Sequence, residues 1–214
     1  MDQFWNVTLT LLEGFTQNCT IFLLTLVMAI PLGILLSFGS MSKFFPLKGF
    51  VRAIVWAIRG TPLLLQLFVV FYIPSLVWDI SFNRMTAAMI AFVINYAAYF
   101  SEIFRGGMEG ISKGQYEAGQ VLGMKKSQIF FRIILMQVIK RIVTPISNEI
   151  ITLIKDTSLA RVIMVPEMLK VSERFTVQGL IWPLFYTGVF FLLFNGVLTL
   201  LFSFMEKKLN YYKG

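Results

Sequence analysis

The chain has 214 residues, of which 57% are hydrophobic and only 14% are charged. Soluble domains usually contain about 25% charged residues, so this composition indicates an integral membrane protein. The sequence has one cysteine and no histidine. An intrachain disulfide, histidine-based catalysis and histidine-containing zinc motifs are therefore excluded. We expect neither a catalytic site nor a metal site in this chain.

The N-terminal segment contains Asp2 and Glu13 but no lysine or arginine before the first long apolar run. A secretory signal peptide begins with a basic region followed by a short apolar core. We therefore predict that the first apolar run is retained as a membrane helix.

Five segments are candidates for crossing a membrane, which requires about 20 mostly apolar residues. They cover residues 18–38, 51–77, 85–104, 138–165 and 181–204. The fourth segment is the most polar. No linker or internal repeat divides the chain, so we predict a single all-α transmembrane domain over residues 1–214 with about five transmembrane helices.

The basic residues predict the orientation of these helices, because positive residues favour the cytoplasmic side of a membrane. They concentrate in the first and third connections and in the C-terminal tail: Lys43, Lys48, Arg52; Lys113, Lys125, Lys126, Arg132, Lys140, Arg141; Lys207, Lys208, Lys213. This predicts an external N-terminus and a cytoplasmic C-terminus. The net charge of +8 is then explained by basic connections that orient the chain in its partner, the lipid bilayer. We expect no nucleic-acid partner.

The part of the third connection that covers residues 113–136 is amphipathic and basic. A helical run from Glu117 to Leu122 meets Gly123, which can adopt the left-handed conformation that ends a helix. A second run begins after Ser127, a predicted N-cap. Apolar contacts are expected from six residues: Ala118, Val121, Leu122, Ile129, Phe130 and Ile133. This pattern is typical of two short helices that dock in a groove of a soluble partner.

Two other interpretations of this segment are open. Two helices joined at a glycine also suit a DNA-binding helix-turn-helix, although long apolar segments on both sides argue strongly against it. A purely structural amphipathic loop is the second alternative.

The third predicted span carries Asn95, Tyr99, Glu102 and Gly106 on one helix face. Polar residues at membrane depth usually face protein or a water-filled path. Arg105 lies one turn beyond Glu102, and a structural ion pair between the two is the favoured interpretation. Asn95 lies deeper in the span and is a candidate residue of a transport pathway.

The fourth predicted span places Glu149, Thr152 and Asp156 on one face, with Lys155 and Ser158 beside Asp156. Two carboxylates and an amine at this depth can hold a zwitterion, with Lys155 binding a carboxylate and Asp156 or Glu149 binding an ammonium group. Alternatively, Lys155 and Asp156 form a pair that neutralises itself between subunits. The residues alone leave both interpretations open.

The second predicted span contains Arg59 followed by Gly60 and Pro62. Proline is tolerated in the first turn of a helix, and glycine permits a break. Gln66 follows Arg59 by seven residues, so we expect the two side chains to share a helix face. Gln66 is a further candidate for the pathway.

The third connection resembles the coupling loop, known by its EAA motif, of ATP-binding-cassette (ABC) importer permeases. Glu117, Ala118, Gly123, Ile133 and Leu135 stand at the spacing of that motif, whereas the motif's third residue is Gly119 here and its proline is Met136. The segments 59–67, 96–123 and 148–163 are similar to the polar amino acid branch of these importers. That branch includes histidine, glutamine, arginine and cystine permeases.

The resemblance implies an all-α, type I importer permease (MetI-like) fold in a bacterial cytoplasmic membrane, transporting a polar amino acid. Glu117, Ala118, Leu122 and Gly123 would couple the chain to an ATPase. The implied partners are a second permease subunit, identical or a paralogue, two ATP-binding subunits and an extracytoplasmic substrate-binding protein. The chain has no GxxxxGK[ST] phosphate loop. We therefore expect no cofactor on this chain, which is not an enzyme, with ATP and Mg bound by the ATPase subunits.

Two functions of other classes compete with this interpretation. An ion-gradient-driven secondary transporter of a small polar solute would use Glu149, Asp156 or Glu102 as its coupling site, but such folds usually have more spans and internal repeats. An intramembrane hydrolase is less favoured still, because the sequence has no histidine and no GxSxG motif.

Overall fold

The computed structural model describes residues 2–209, and this part of the chain is helical without any strand. Lys213 of the predicted cytoplasmic tail lies outside the described residues. Nine α-helices follow one another: α1 (Asp2–Ser40), α2 (Phe45–Arg59), α3 (Leu63–Trp78), α4 (Arg84–Glu109), α5 (Lys113–Val121), α6 (Lys126–Ile129), α7 (Leu135–Asp156), α8 (Met168–Val177) and α9 (Trp182–Leu209). A π-helical stretch, Phe130–Ile134, precedes α7, and a 3₁₀ stretch, Thr157–Ile163, follows it.

Within the described residues, the helices α1, α4 and α9 are each long and apolar enough to cross a membrane. Helices α2 and α3 pass the same test together, as one span bent by 105°. Helix α7 occupies the place of the fourth predicted span and is more polar. Helix α1 starts well before the predicted residue 18, because apolar side chains of its first turns, such as Val7 and Leu11, pack against α8 and α9.

The second predicted span corresponds to α2 and α3, which are separated by a break where Gly60 permits one. The expectation that Arg59 and Gln66 share a helix face was wrong. Pro62 caps α3 in an extended conformation, and the residue before a proline is disfavoured in helical conformation. The chain therefore turns at Gly60, Thr61 and Pro62. Arg59 and Gln66 consequently lie on different helices and do not share a helix face.

Helix α1 packs most extensively against α4, and small side chains make this possible. Gly33 meets α4 so closely that a Cβ atom there would lie 2.8 Å from Phe100 Cβ and 3.1 Å from the Ala97 carbonyl oxygen. Buried alanines line the same helix: Ala87, Ala88, Ala91, Ala97 and Ala98. Small residues let helix backbones approach within a membrane, where dispersion contacts replace the hydrophobic effect.

A buried polar group joins α1 to the start of α8. The Asn18 amide donates to Thr157 Oγ1 at 2.9 Å and to Glu167 Oε2 at 3.2 Å, and its oxygen accepts from the Met168 backbone N–H. Glu167 also caps α8 by accepting from backbone N–H groups of the first turn. Burial raises the pKa of the Glu167 carboxyl, although these hydrogen bonds oppose the shift. Asn18 thus fixes the connection between the α7 end and α8 against α1.

The close contact between α1 and α4 predicts that Gly33→Ala destabilises the protein by about 1–3 kcal/mol, because the added methyl collides with backbone and Cβ atoms that cannot move aside cheaply. Gly49→Ala is the matched control, since no atom lies within 4 Å of a Cβ at that helical position. Thermal unfolding of the purified protein in detergent, followed by size-exclusion chromatography, measures both. Equal thermal stability of the two variants would contradict the proposed close packing.

Candidate functional site

The predicted pair of short helices in the third connection is present as α5 and α6. Gly123 between them has φ +71°, the left-handed conformation expected from the sequence. The N-cap of α6 is Lys125 rather than the predicted Ser127. The reason is that the Gln128 side chain accepts from the Lys125 backbone N–H at 2.8 Å, which starts the helix two residues earlier.

The two short helices touch at Gly119 and Ile129, both buried. A Cβ atom on Gly119 would lie 2.7 Å from Ile129 Cγ1, so only glycine allows this approach. In contrast, Val121 and Leu122 are 88% and 77% exposed. They make little of the apolar contact predicted for them within this chain. Their exposure leaves an apolar surface on the element.

The exit from this element differs from the resembled motif, which has a proline where Met136 stands. Met136 lies in the first turn of α7, and the preceding π-helical stretch runs into α7 without a break. Because methionine keeps its backbone N–H, the helix continues through this position.

The base of the element is attached to both neighbouring spans. The Arg141 guanidinium of α7 donates to the Gly110 carbonyl at the end of α4. Gly107 of α4 lies against Ile142 so closely that a Cβ there would be 2.3 Å from Ile142 Cγ2. The element therefore projects from a fixed junction between α4 and α7.

A cluster of polar side chains, which we call the polar group, connects α4 to α3 on one side and to α7 on another. Asn95 donates to Gln66 Oε1 at 3.0 Å, and the Gln66 amide donates to the Ile58 carbonyl at 2.8 Å across the α2–α3 break. On the next residue of α4, the Tyr96 hydroxyl donates to Asp156 Oδ2 at 2.8 Å. The structure thus joins Asn95 to Gln66 of α3, and it joins the next residue of α4, Tyr96, to Asp156 of α7.

The other acidic and hydroxyl candidates of α7 lie along the same helix. Glu149 and Thr152 are both partly buried, and their spacing places them on the face of Asp156. This face carries the acidic character expected of a site for a cationic group.

Lys155 and Ser158 lie elsewhere. Both line a cavity of about 330 Å³ together with residues of α8 and α9, among them Leu169, Thr187 and Phe191. Adjacent residues of a helix point about 100° apart, so Lys155 and Asp156 face different surroundings. Among the described residues, no ion pair joins Lys155 to Asp156 within one chain. The alternative of a pair that neutralises itself between subunits stays a prediction.

Glu102 and Arg105 form the predicted ion pair near the end of α4. Two parallel hydrogen bonds join them, from Nε to Oε1 at 2.9 Å and from Nη2 to Oε2 at 2.6 Å. Arg59 of α2 approaches the same carboxylate at 3.6 Å and stacks over the Tyr99 ring.

Tyr96 was not among the candidate residues predicted from the sequence. Arg59 was considered only for its spacing from Gln66. A buried tyrosine usually finds a hydrogen-bond partner for its hydroxyl group, so its place one residue after Asn95 was a usable signal. The reach of Arg59 toward α4 could not be foreseen, because it depends on the break after α2.

Known proteins resemble this chain over nearly its whole length. The profile of the family described as binding-protein-dependent transport system inner membrane component matches residues 29–211. The L-cystine transport system permease protein TcyB of Bacillus subtilis is 37% identical over 180 residues, spanning 84% of this chain and 75% of that protein. The arginine transport system permease protein ArtQ of Bacillus subtilis is 32% identical, spanning 94% and 92% respectively.

Solved structures share the fold. A crystal structure of an amino acid ABC transporter with histidines superposes with a TM-score of 0.86 at 24% identity, covering 96% of this chain and 97% of that one. An inward-facing form of the MetNI methionine ABC transporter superposes with a TM-score of 0.74 at 15% identity, covering 98% of each chain. The predicted all-α importer-permease fold is confirmed. The chain belongs to the family of binding-protein-dependent transport system inner membrane components and is the permease subunit of an ABC importer.

Proposed function

We propose that this permease subunit moves a polar amino acid across the cytoplasmic membrane and that residues 113–136 couple it to a separate ATPase. The observation that carries the proposal is the exposed α5–α6 element, held at a fixed junction between two spans. Relatives named for cystine and arginine transport support the substrate class.

The coupling surface consists of the exposed side of α5 and the turn that follows it. Glu117 and Ala118 are exposed, and Leu122 presents an apolar side chain beside them. An apolar anchor with a charged rim is a common arrangement of protein interfaces. Gly123 contributes by setting the angle between α5 and α6.

The partners follow from this arrangement. Each of two ATP-binding subunits receives the coupling element of one permease, so a second permease subunit, identical or a paralogue, completes the membrane part. ATP and Mg belong to the ATP-binding subunits, and this chain hydrolyses no ATP. An extracytoplasmic binding protein delivers the amino acid.

The proposed substrate pathway lies along the polar side chains that α3, α4 and α7 contribute. Asn95 and Gln66 offer amide groups, whereas Asp156, Glu149 and Thr152 offer oxygen atoms. Carboxylates in this position attract the ammonium group of an amino acid. Lys155 and Ser158 line the separate cavity beside α9, and we assign them to a second part of the pathway rather than to the same bound zwitterion.

In the orientation that we propose, the N-terminus lies outside and the C-terminus lies in the cytoplasm. The basic third connection and the end of α9 then face the cytoplasm, together with the coupling element. Helix α8 lies on the external side.

The coupling role predicts that Gly123→Val reduces ATPase stimulation by the loaded binding protein about tenfold. A β-branched residue disfavours the left-handed conformation, which costs about 1–2 kcal/mol even for an ordinary residue. No atom lies within 4 Å of a Cβ at Gly123, so a steric clash is not the cause. The assembled transporter should form normally, with its ATPase activity measured in proteoliposomes.

Gly123→Asn is the matched control, because asparagine tolerates the left-handed conformation. It should retain most of the stimulation. Equal loss in both variants, or full stimulation in Gly123→Val, would count against the turn as the coupling determinant.

The orientation predicts which surface positions an impermeant thiol reagent labels in intact cells. In a Cys19→Ser background, Gln178→Cys should be labelled and Ser127→Cys should not, because both side chains are exposed but lie on opposite sides. Ser127→Cys should be labelled once the cells are permeabilised. Labelling of Ser127→Cys alone in intact cells would invert the orientation.

The pathway predicts that Asp156→Asn lowers amino acid uptake at least tenfold while assembly and basal ATPase activity persist. Asparagine keeps the size of the side chain and an oxygen atom that accepts from the Tyr96 hydroxyl group. It removes the negative charge. Thermal stability should also persist, because Lys155 is exposed and does not depend on Asp156 for its charge balance.

The double variant Lys155→Met/Asp156→Asn is the decisive control. Uptake should stay low in this variant, because the ammonium partner is still missing. Full uptake by the double variant would show that the two charges only balance each other and would remove both from the pathway.

A further inference from the structure

Three arginines surround a cavity at the seam between α2 and α4. The cavity has a volume of about 230 Å³ and is lined by six residues: Arg52, Val55, Trp56, Arg59, Glu102 and Arg105. The coupling element and the polar group of α3, α4 and α7 do not account for this concentration of positive charge.

Arg105 takes most of the available carboxylate oxygens at this seam. It donates twice to Glu102 and once to Glu109, at distances of 2.5–2.9 Å. Arg52 and Arg59 approach these two carboxylates only at 3.8 and 3.6 Å. At this seam, three guanidinium groups thus face two carboxylates, those of Glu102 and Glu109.

The two loosely held arginines are also accessible. The side chains of Arg52 and Arg59 are 45% and 42% exposed. A guanidinium group has five N–H donors. Arg52 uses Nε for the Ser40 carbonyl, and its nitrogen nearest Glu109 lies beyond hydrogen-bonding distance. Both residues therefore present donors that an anion in the cavity can accept.

The outer surface of α2 has the composition of a helix at a membrane interface. Phe45 and Trp56 are 82% and 78% exposed, and Phe50 is exposed as well. Lys48 lies four residues before Arg52, and Arg59 lies seven residues after it, so the three basic side chains follow one stripe. Exposed aromatic side chains beside basic residues are typical of amphipathic helices that contact anionic lipids.

We propose that this cavity binds the phosphate headgroup of an anionic phospholipid, with Arg52 and Arg59 as its donors. Basic pockets between membrane helices on the cytoplasmic side are suited to such headgroups. Trp56, which lines the cavity, then lies against the lipid's apolar part. Only the choice of the cytoplasmic leaflet rests on the orientation proposed above.

The test measures lipid retained by the assembled transporter in nanodiscs of phosphatidylcholine containing one-fifth phosphatidylglycerol, as an approximate starting composition. After exchange into detergent, mass spectrometry counts the lipids that stay bound. Wild-type protein should retain phosphatidylglycerol in preference to phosphatidylcholine. Arg52→Gln/Arg59→Gln should lower the apparent affinity about 25-fold, or about fivefold for each charge removed.

Two comparison variants keep this result interpretable. Lys207→Gln/Lys208→Gln removes two exposed basic charges far along the chain and should keep the preference. Arg52→Lys/Arg59→Lys keeps the charge and should retain most of the binding. The single variant Arg52→Gln serves if the double variant does not assemble, because its contact with Glu109 is weak. Unchanged phosphatidylglycerol retention in the glutamine variants would overturn the proposal.

Two further experiments identify the molecule that occupies the cavity. Excess inorganic phosphate that displaces phosphatidylglycerol would show that the site takes free phosphate, against a lipid-specific role. Benzoylphenylalanine substituted for Trp56 should crosslink to lipid upon illumination. A crosslink to the second permease subunit instead would show that protein covers the cavity and would overturn the proposal. Lipid retention is measured without transport, so its failure is distinguishable from failure of the proposed transport function.

Discussion

The backbone break between α2 and α3 imposes a requirement that shapes the rest of the transport region. A helix that ends inside the hydrocarbon exposes carbonyl groups, and these need partners within the protein. Thr61 Oγ1 donates to the Ala57 carbonyl at 2.9 Å, and the Gln66 amide donates to the Ile58 carbonyl at 2.8 Å. A glutamine amide has two donors and one acceptor oxygen. Because its donors serve the break, its oxygen remains available to Asn95.

The side-chain oxygen of Gln66 connects the break to the interior of the protein. Asn95 donates to Gln66, and its neighbour Tyr96 donates to Asp156. Three spans thus share polar contacts at one level. Such contacts are costly in a membrane unless each group has a partner. The same contacts make the site sensitive to movement, since shifting α3 relative to α4 separates Gln66 from Asn95.

Several features could be predicted from the sequence because they depend on local chemistry. The turn at Gly123 follows from the conformational freedom of glycine, and the pair of Glu102 with Arg105 follows from helical spacing. The bend at Pro62 was visible as a possible break, but its 105° angle depends on packing of both helices against α4. The separation of Lys155 from Asp156 also depends on tertiary packing, because α9 lies on one side of α7 and α4 lies on the other.

The coupling element proposed above is attached to the two helices that carry Asn95, Tyr96 and Asp156. Helix α4 enters the element and α7 leaves it, and Arg141 joins the two helices at its base. Asn95 and Tyr96 lie on α4, whereas Asp156 lies on α7. A rigid movement of the element would therefore be transmitted to these three residues through α4 and α7. Closely packed helices transmit such displacements because their interiors compress little. Tyr96, in the middle of α4, and Asp156, at the end of α7, join these same two helices, so their hydrogen bond reports on the relative movement of α4 and α7.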